Sequence, residues 1–365
     1  MCLPIAAQHQ SVQLSYSLAR SYSATLLPRC DYCSRPPMIV DVHAHLATRE
    51  LFDLLTAHKV FGKLMAKTDD GYKIGPTGLD PLCYDLEPRL ESLERRGVDV
   101  QLVGTFNPLL HWRGGAPDVE FARYINADTA KAVSTDKRLW GMATIAFGEP
   151  HKAADELRRA VGEYGYRGAH IGISAGERTL DDAVFEPVWS VAEELGLLLF
   201  MHPARDRQIE RCEDYNLNTI VAYPTETGIT ISRMIFAGVF ERHPDLKLCL
   251  AHGGGTLVWL AARLDRGFWA PVYEHNPAQH KQISKRPSEY VRQIYVDTCV
   301  FGMEQLDFLL SFMGADHLML GTDYPFEIAD SEGECVAPWL ARLDNATRDR
   351  INGGNAMAIL GRTGS

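Results

Sequence analysis

The chain has 365 residues, 46% hydrophobic and 23% charged, with a formal net charge of −10. That is an ordinary composition for a globular enzyme. The acidic balance argues against a nucleic-acid or anionic-membrane surface, since both need a basic patch. No run reaches the roughly 18 apolar residues a transmembrane helix requires.

In chain order, residues 1–37 stand apart from the rest: they are Ser-rich, hold Arg20 and Arg29, and have no acidic residue before Asp31. They resemble a mitochondrial transit segment in composition and read as a poorly ordered or dispensable leader, with Met38 an alternative start. Cys30 and Cys33 form one C-x-x-C without the second half a zinc knuckle needs. The eight cysteines are scattered, and the reading is reduced, mostly buried thiols.

From Met38 onward, short apolar runs alternate with helical stretches. The runs at 39–43, 99–104, 140–146, 167–173, 197–202, 246–252, 294–300 and 317–323 read as buried strands. Amphipathic segments near 86–97 and at 152–164, 183–195 and 226–241 read as helices between them. Strands and helices alternating in this way predict an α/β fold, a (β/α)8 barrel over 38–365. Residues 58–84 form a long insertion after the first strand, with Gly62, Gly71, Gly75, Pro76, Gly78 and Pro81, and read as an irregular lid or a disordered loop.

Polar residues cluster at the predicted strand ends. The first strand ends in Asp41-Val-His-Ala-His, where His43 and His45 share a face because side chains alternate. His202 closes the fifth strand, His252 the sixth and Asp323 the eighth. One such histidine alone is ordinarily a satisfied core or surface residue. Five polar residues on one barrel face, the C-terminal face that carries active sites, point to a catalytic centre. Two neutral imidazoles held close together suit a zinc-type site. Three glycines after His252 let the backbone turn tightly and approach a ligand.

These motifs, with Met201-His-Pro, Gly238-Val-Phe-Glu-Arg-His-Pro-Asp-Leu-Lys, Leu320-Gly-Thr-Asp-Tyr-Pro-Phe and Gly354-Asn-Ala-Met-Ala-Ile-Leu-Gly, resemble the metal-dependent amidohydrolase superfamily and its decarboxylase branch. The resemblance spans about 38–362. It implies His43, His45, His202 and Asp323 as metal ligands, and His252 as acid/base beside a metal-bound water, with Asp323 sharing in proton transfer. A fifth ligand or a structural hydrogen-bond donor is the other reading of His252. The superfamily's bridging lysine would lie on the fourth strand, which carries His170 instead, so one metal is expected. Zinc suits three imidazoles and a carboxylate, with manganese the alternative. Arg263 would pair with a substrate carboxylate from a neighbouring subunit, which implies a homodimer, and Arg205 or Arg207 could do so within the subunit.

Two departures bear on substrate. No arginine lies between residues 50 and 88, where the family carries one, and Ala204 follows His-Pro where the family has tryptophan. The expected activity is non-oxidative decarboxylation of a small unsaturated or hydroxybenzoate-like carboxylic acid, in the cytoplasm, or in mitochondria if the leader is a targeting segment. The same ligand set also suits a hydrolase or hydratase acting on a lactone, an amide or an activated double bond. A catalytically silent scaffold barrel is a third reading.

Overall fold

The computed structural model describes residues 38–58, 65–75, 77–110, 116–204, 209, 211–270 and 282–361. The leader, with Cys30 and Cys33, and both Arg205 and Arg207 lie outside the described residues.

Eight segments form the wall: β1 (Val40–His45), β2 (Val100–Gly104), β3 (Leu139–Gly141, resuming after Met142 as Ala143–Thr144), β4 (Gly168–Ile171), β5 (Leu198–Met201), β6 (Lys247–Leu250), β7 (Tyr295–Asp297) and β8 (Leu318–Met319). Each pairs in parallel with the next. The stretch just after β8 returns to β1. Val42 N–H donates to Leu320 O at 2.9 Å and His45 N–H to Tyr324 O at 2.8 Å, with a parallel bridge between Ala44 and Tyr324. The fold is therefore the expected (β/α)8 barrel.

Parallel strands covered on both faces need apolar residues on both, so they read as continuous apolar runs. Leu199, Met201, Leu248 and Leu250 face outward into one cluster with helix residues such as Val188, Ile231, Val258 and Leu309. Leu198, Phe200, Cys249, Val42, Leu102, Met142 and Met319 fill the barrel, which Ala356 and Leu360 of the last helix close from below. Burying each large side chain contributes about 1.5–3 kcal/mol. Helix Pro150–Tyr164 shows the local logic. Its buried Ala153, Ala154, Leu157 and Ala160 recur at helical spacing, Pro150 opens it, and Gly165, at φ 68°, ends it. No described helix is long and apolar enough to cross a membrane.

The expected helix 226–241 is two helices, Tyr223–Phe236 and Val239–Arg242, parted at Gly238 with φ 72°. A π-helical turn, Asn218–Ala222, precedes the first. The insertion is more ordered than its glycines and prolines suggested. Met65–Thr68, Gly71–Ile74 and Thr77–Gly78 form a three-stranded antiparallel sheet, followed by a 3₁₀ turn at Pro81–Cys83. Buried Tyr72 stacks on Phe52 at 4.9 Å and meets Tyr84 edge-on at 5.0 Å. These rings anchor the sheet to helix Arg49–Ala57, which a strand pattern this short could not reveal.

Candidate metal centre

Four strand ends bring five polar side chains to one point above the barrel core. On β1 the register shifts between Asp41 and Ala44, and His43 and His45 both turn inward, ring centroids 5.2 Å apart. His202, one residue past β5, lies 5.0 Å from each of these rings. His252 follows β6, 4.8 Å from the His202 ring. Asp323 comes from the loop after β8. His252 and Asp323 hold left-handed backbones, φ 57° and 61°, which non-glycine residues adopt at a cost of about 1–3 kcal/mol. Glycines make the room. A Cβ on Gly321 would lie 2.9 Å from His43 Cβ and 2.8 Å from Asp297 Cβ, and one on Gly104 would overlap the His170 ring.

Asp323 is the hub, and its two oxygens meet different partners. His43 Nε2 and His45 Nε2 each lie 3.0 Å from Oδ1, and His202 Nε2 lies 3.7 Å from it. His252 Nε2 approaches Oδ2 instead, at 3.4 Å. The Nδ1 side divides them in the same way. His43 Nδ1 meets Asp297 Oδ2 at 2.6 Å, His45 Nδ1 meets Thr105 O at 3.1 Å, and His202 Nδ1 meets Pro203 O at 2.5 Å. The Nδ1 of His252 has no partner. His43, His45 and His202 are at most 1% exposed, whereas the His252 side chain is 16% exposed.

Each of the three buried imidazoles is thus caught between two oxygen acceptors. A neutral imidazole has one N–H to give, so at His45 and His202, with Nδ1 so used, Nε2 offers a lone pair to a carboxylate, while His43 meets both of its carboxylates only by holding a second proton. Nε2 of His202, 3.7 Å from the carboxylate, makes no hydrogen bond. A buried polar atom left this way costs about 1–3 kcal/mol. A divalent cation among these atoms would remove the conflict, so the residues fit a metal. His43, His202, His252 and Asp323 can each bring one ligand atom within 4.8 Å of the others, and His45 adjoins them through Asp323 Oδ1.

The electrostatics agree. Burial, reinforced by neighbouring imidazoles, holds His202 well below its ordinary value, and burial likewise lowers His45. Burial alone would raise the Asp323 carboxyl, yet His43 and the other imidazoles bring it well below the usual range. Burial would also lower His43, but Asp323 and Asp297 outweigh it and raise that imidazole to about 10. With its pKa raised in this way, the metal-free His43 is expected to hold a second proton at neutral pH. If an ion takes the Nε2 lone pair, loading should release about one proton, and apparent affinity should rise about tenfold per unit from roughly pH 7 to 10. Calorimetry in two buffers of different ionisation enthalpy measures that proton. Finding none would mean that His43 is already neutral.

Asp297, on β7, was not singled out in the sequence. It is fully buried and also accepts from Gly253 N–H at 2.8 Å and Cys299 N–H at 3.1 Å, linking the His43 ring to the His252 loop. The available signal was an acidic residue inside an apolar strand. Asp297→Asn should weaken metal affinity about 10–100-fold, measured by competition with a chelator. Unchanged affinity would remove Asp297 from the centre. Buried Arg89, also unforeseen, donates to Gln101 Oε1 at 2.7 Å and to the carbonyl oxygens of His45 and Leu82, pinning the end of β1. His170 is buried beside His45, 5.1 Å between rings, with neither nitrogen bonded, and it stands outside the converging group. Arg263 is exposed on helix Leu257–Phe268 and does not join the centre within the subunit.

A family model described as Amidohydrolase matches residues 40–362. The chain belongs to the amidohydrolase family. Among family relatives, the 2-amino-3-carboxymuconate-6-semialdehyde decarboxylase of Dictyostelium discoideum is 33% identical over 78% of this chain and 78% of its own length. The gamma-resorcylate decarboxylase of Rhodococcus jostii (strain RHA1) is 27% identical over 74% of this chain and 86% of its own. The crystal structure of 5-carboxyvanillate decarboxylase from Sphingomonas paucimobilis superposes with a TM-score of 0.77 at 26% identity, covering 90% of this chain and all of that one.

Proposed function

We propose that this amidohydrolase-family chain is a metal-dependent, non-oxidative decarboxylase of a small aromatic acid of the hydroxybenzoate kind. The observation that carries the reading is the division of labour at Asp323, with three imidazoles on Oδ1 and one on Oδ2. Decarboxylase relatives at 33% and 27% identity support the reaction class.

His43, His45, His202 and Asp323 would hold one divalent ion. Three imidazoles and a carboxylate suit zinc, with manganese the alternative. When bound, the ion supplies Lewis acidity that polarises a substrate oxygen and stabilises negative charge nearby. His252, the most exposed of the four histidines, takes a proton from solvent and holds it at Nε2, facing Asp323 Oδ2. The pair delivers that proton to the ring carbon bearing the carboxylate. The carbon–carbon bond then breaks, its electron pair returns to the ring, and carbon dioxide leaves. Net, one carboxylate and one proton become carbon dioxide and the arene. Phe326 lies 5.0 Å from the His45 ring and 5.6 Å from Phe106, an apolar wall suited to an aromatic ring.

We also propose a homodimer. Trp259 is 74% exposed and packs on partly exposed Phe308, 5.5 Å between rings. Arg263 follows Trp259 by four residues and shares its helix face. A second copy covering the tryptophan would receive that arginine, and Trp259→Glu should sediment as a monomer. The Cys83, Cys212, Cys249 and Cys299 thiols are free and buried, consistent with a reducing compartment such as the cytoplasm.

The deciding experiment is carbon dioxide release by metal-loaded protein over a panel of hydroxybenzoates and unsaturated carboxylates, with and without chelator. Release that chelation abolishes supports the reading. No release from any acid, with the ion bound, would favour a hydrolase or hydratase.

A further inference from the structure

Two buried asparagines near the barrel mouth have polar atoms without partners. Asn218 is 6% exposed and its Nδ2 bonds to nothing; Asn107 is 9% exposed and its Oδ1 bonds to nothing. Neither belongs to the ligand group. A buried amide atom left unsatisfied is costly, and such an atom beside an active site calls for a partner.

Their placement supplies one. Asn218 opens the π-helical turn Asn218–Ala222, at the N-terminal end of the helix that follows β5. That end lies on the C-terminal face of the barrel, where β5 delivers His202. Tyr223 N–H donates to Asn218 O, so the two residues stand one π-turn apart on the same side. The Tyr223 ring meets the His202 ring edge-on at 6.2 Å. Asn218 therefore lies one turn beyond a side chain that touches the centre. Asn107 begins the 3₁₀ turn after β2, two residues past the Thr105 carbonyl that holds His45, and next to Phe106 of the aromatic wall. β2 and β5 are separated by β3 and β4, so the amides flank the centre from different sides.

We infer that Asn218 and Asn107 select a hydroxy-substituted carboxylate, Asn218 donating to a carboxylate oxygen and Asn107 accepting from a ring hydroxyl. This rests on the decarboxylase reading above and names its recognition residues. It also accounts for a first insertion without arginine. The buried Arg89 and Arg96 are committed to Gln101, Asp41, backbone carbonyls and the Tyr324 ring. A neutral amide suits this reaction physically. A buried guanidinium would stabilise the ground-state carboxylate that has to depart, whereas an amide orients it with less ground-state stabilisation.

The test is binding of 2-hydroxybenzoate and of benzoate to metal-loaded protein by calorimetry, which requires no turnover. Wild type should prefer 2-hydroxybenzoate by roughly 3–10-fold. Asn107→Leu should lose that preference and bind benzoate as wild type does. Asn218→Leu should weaken both acids, and the near-isosteric Asn218→Asp should weaken them further by setting carboxylate against carboxylate. Metal content and melting temperature are measured alongside, and Asn107→Asp, which keeps an acceptor, should retain the preference. The assignment is overturned if wild type shows no preference, or if folded, metal-loaded Asn107→Leu and Asn218→Asp bind both acids as wild type does. If the binding pattern holds but no carbon dioxide is released, the decarboxylase reading fails and the recognition residues stand.

Discussion

Asp323→Ala should retain little divalent metal after dialysis and release no measurable carbon dioxide. Among the described residues, Asp323 is the carboxylate that His43, His45, His202 and His252 all approach, at 3.0, 3.0, 3.7 and 3.4 Å. Without it the imidazoles remain as neutral donors, but the negative charge that offsets the cation is gone. Loss of outer-sphere partners alone typically lowers metal affinity 10–100-fold, and loss of a carboxylate ligand should exceed that. Turnover should fall by at least on the order of 10³, because the charge-stabilising group leaves with the ligand. Atomic emission on the dialysed protein reads the first effect and carbon dioxide release the second. A variant that keeps a full equivalent of metal and still turns over would disprove the hub role.

His252→Ala should behave in the opposite way towards metal. Its Nε2 faces Oδ2 rather than Oδ1, its Nδ1 is not held by an acceptor, and its ring is the one that reaches solvent. Those are features of a proton carrier. Turnover should fall about 10²–10⁴-fold, the usual range for removing a general acid or base. On the proposed role, in which His252 acts on a proton and not on the binding of the ion, metal content should stay at one equivalent and KM should move little. Loss of metal from this variant would make His252 a fifth ligand, the reading that the four-residue grouping alone would allow. The two substitutions thus separate ligand from acid/base on a single measurement, metal retained.

The histidines and Asp323 were legible because of strand chemistry. A strand covered on both sides is apolar along its length, so a polar residue at its end stands out against that run, and alternate spacing puts His43 and His45 on one face before any coordinate is known. Asp297 was harder to see because it falls inside the apolar run 294–300 and only the structure shows that β7 ends on it, and its importance lies in a 2.6 Å contact with a residue 254 positions away. The Thr105 carbonyl carries no side-chain signal at all. The insertion was misjudged as irregular because its strands are two to four residues long, and the aromatic packing of Tyr72 on Phe52 that orders them joins separate parts of the chain.

Sequence alone determined the barrel, its strand ends and the family, because periodicity and motif spacing are local properties of the chain. Tertiary structure decided what those residues do to one another. It set three imidazoles against one oxygen of Asp323 and His252 against the other, placed an acceptor behind each of the three, and emptied the space at Gly104 and Gly321 that lets the rings sit inside the barrel. It also left one polar atom on each of two buried amides, Asn107 Oδ1 and Asn218 Nδ2, without a partner. The physical reason is that lone-pair direction, burial and the absence of a partner are properties of converging groups, and these groups come from strands far apart in the chain.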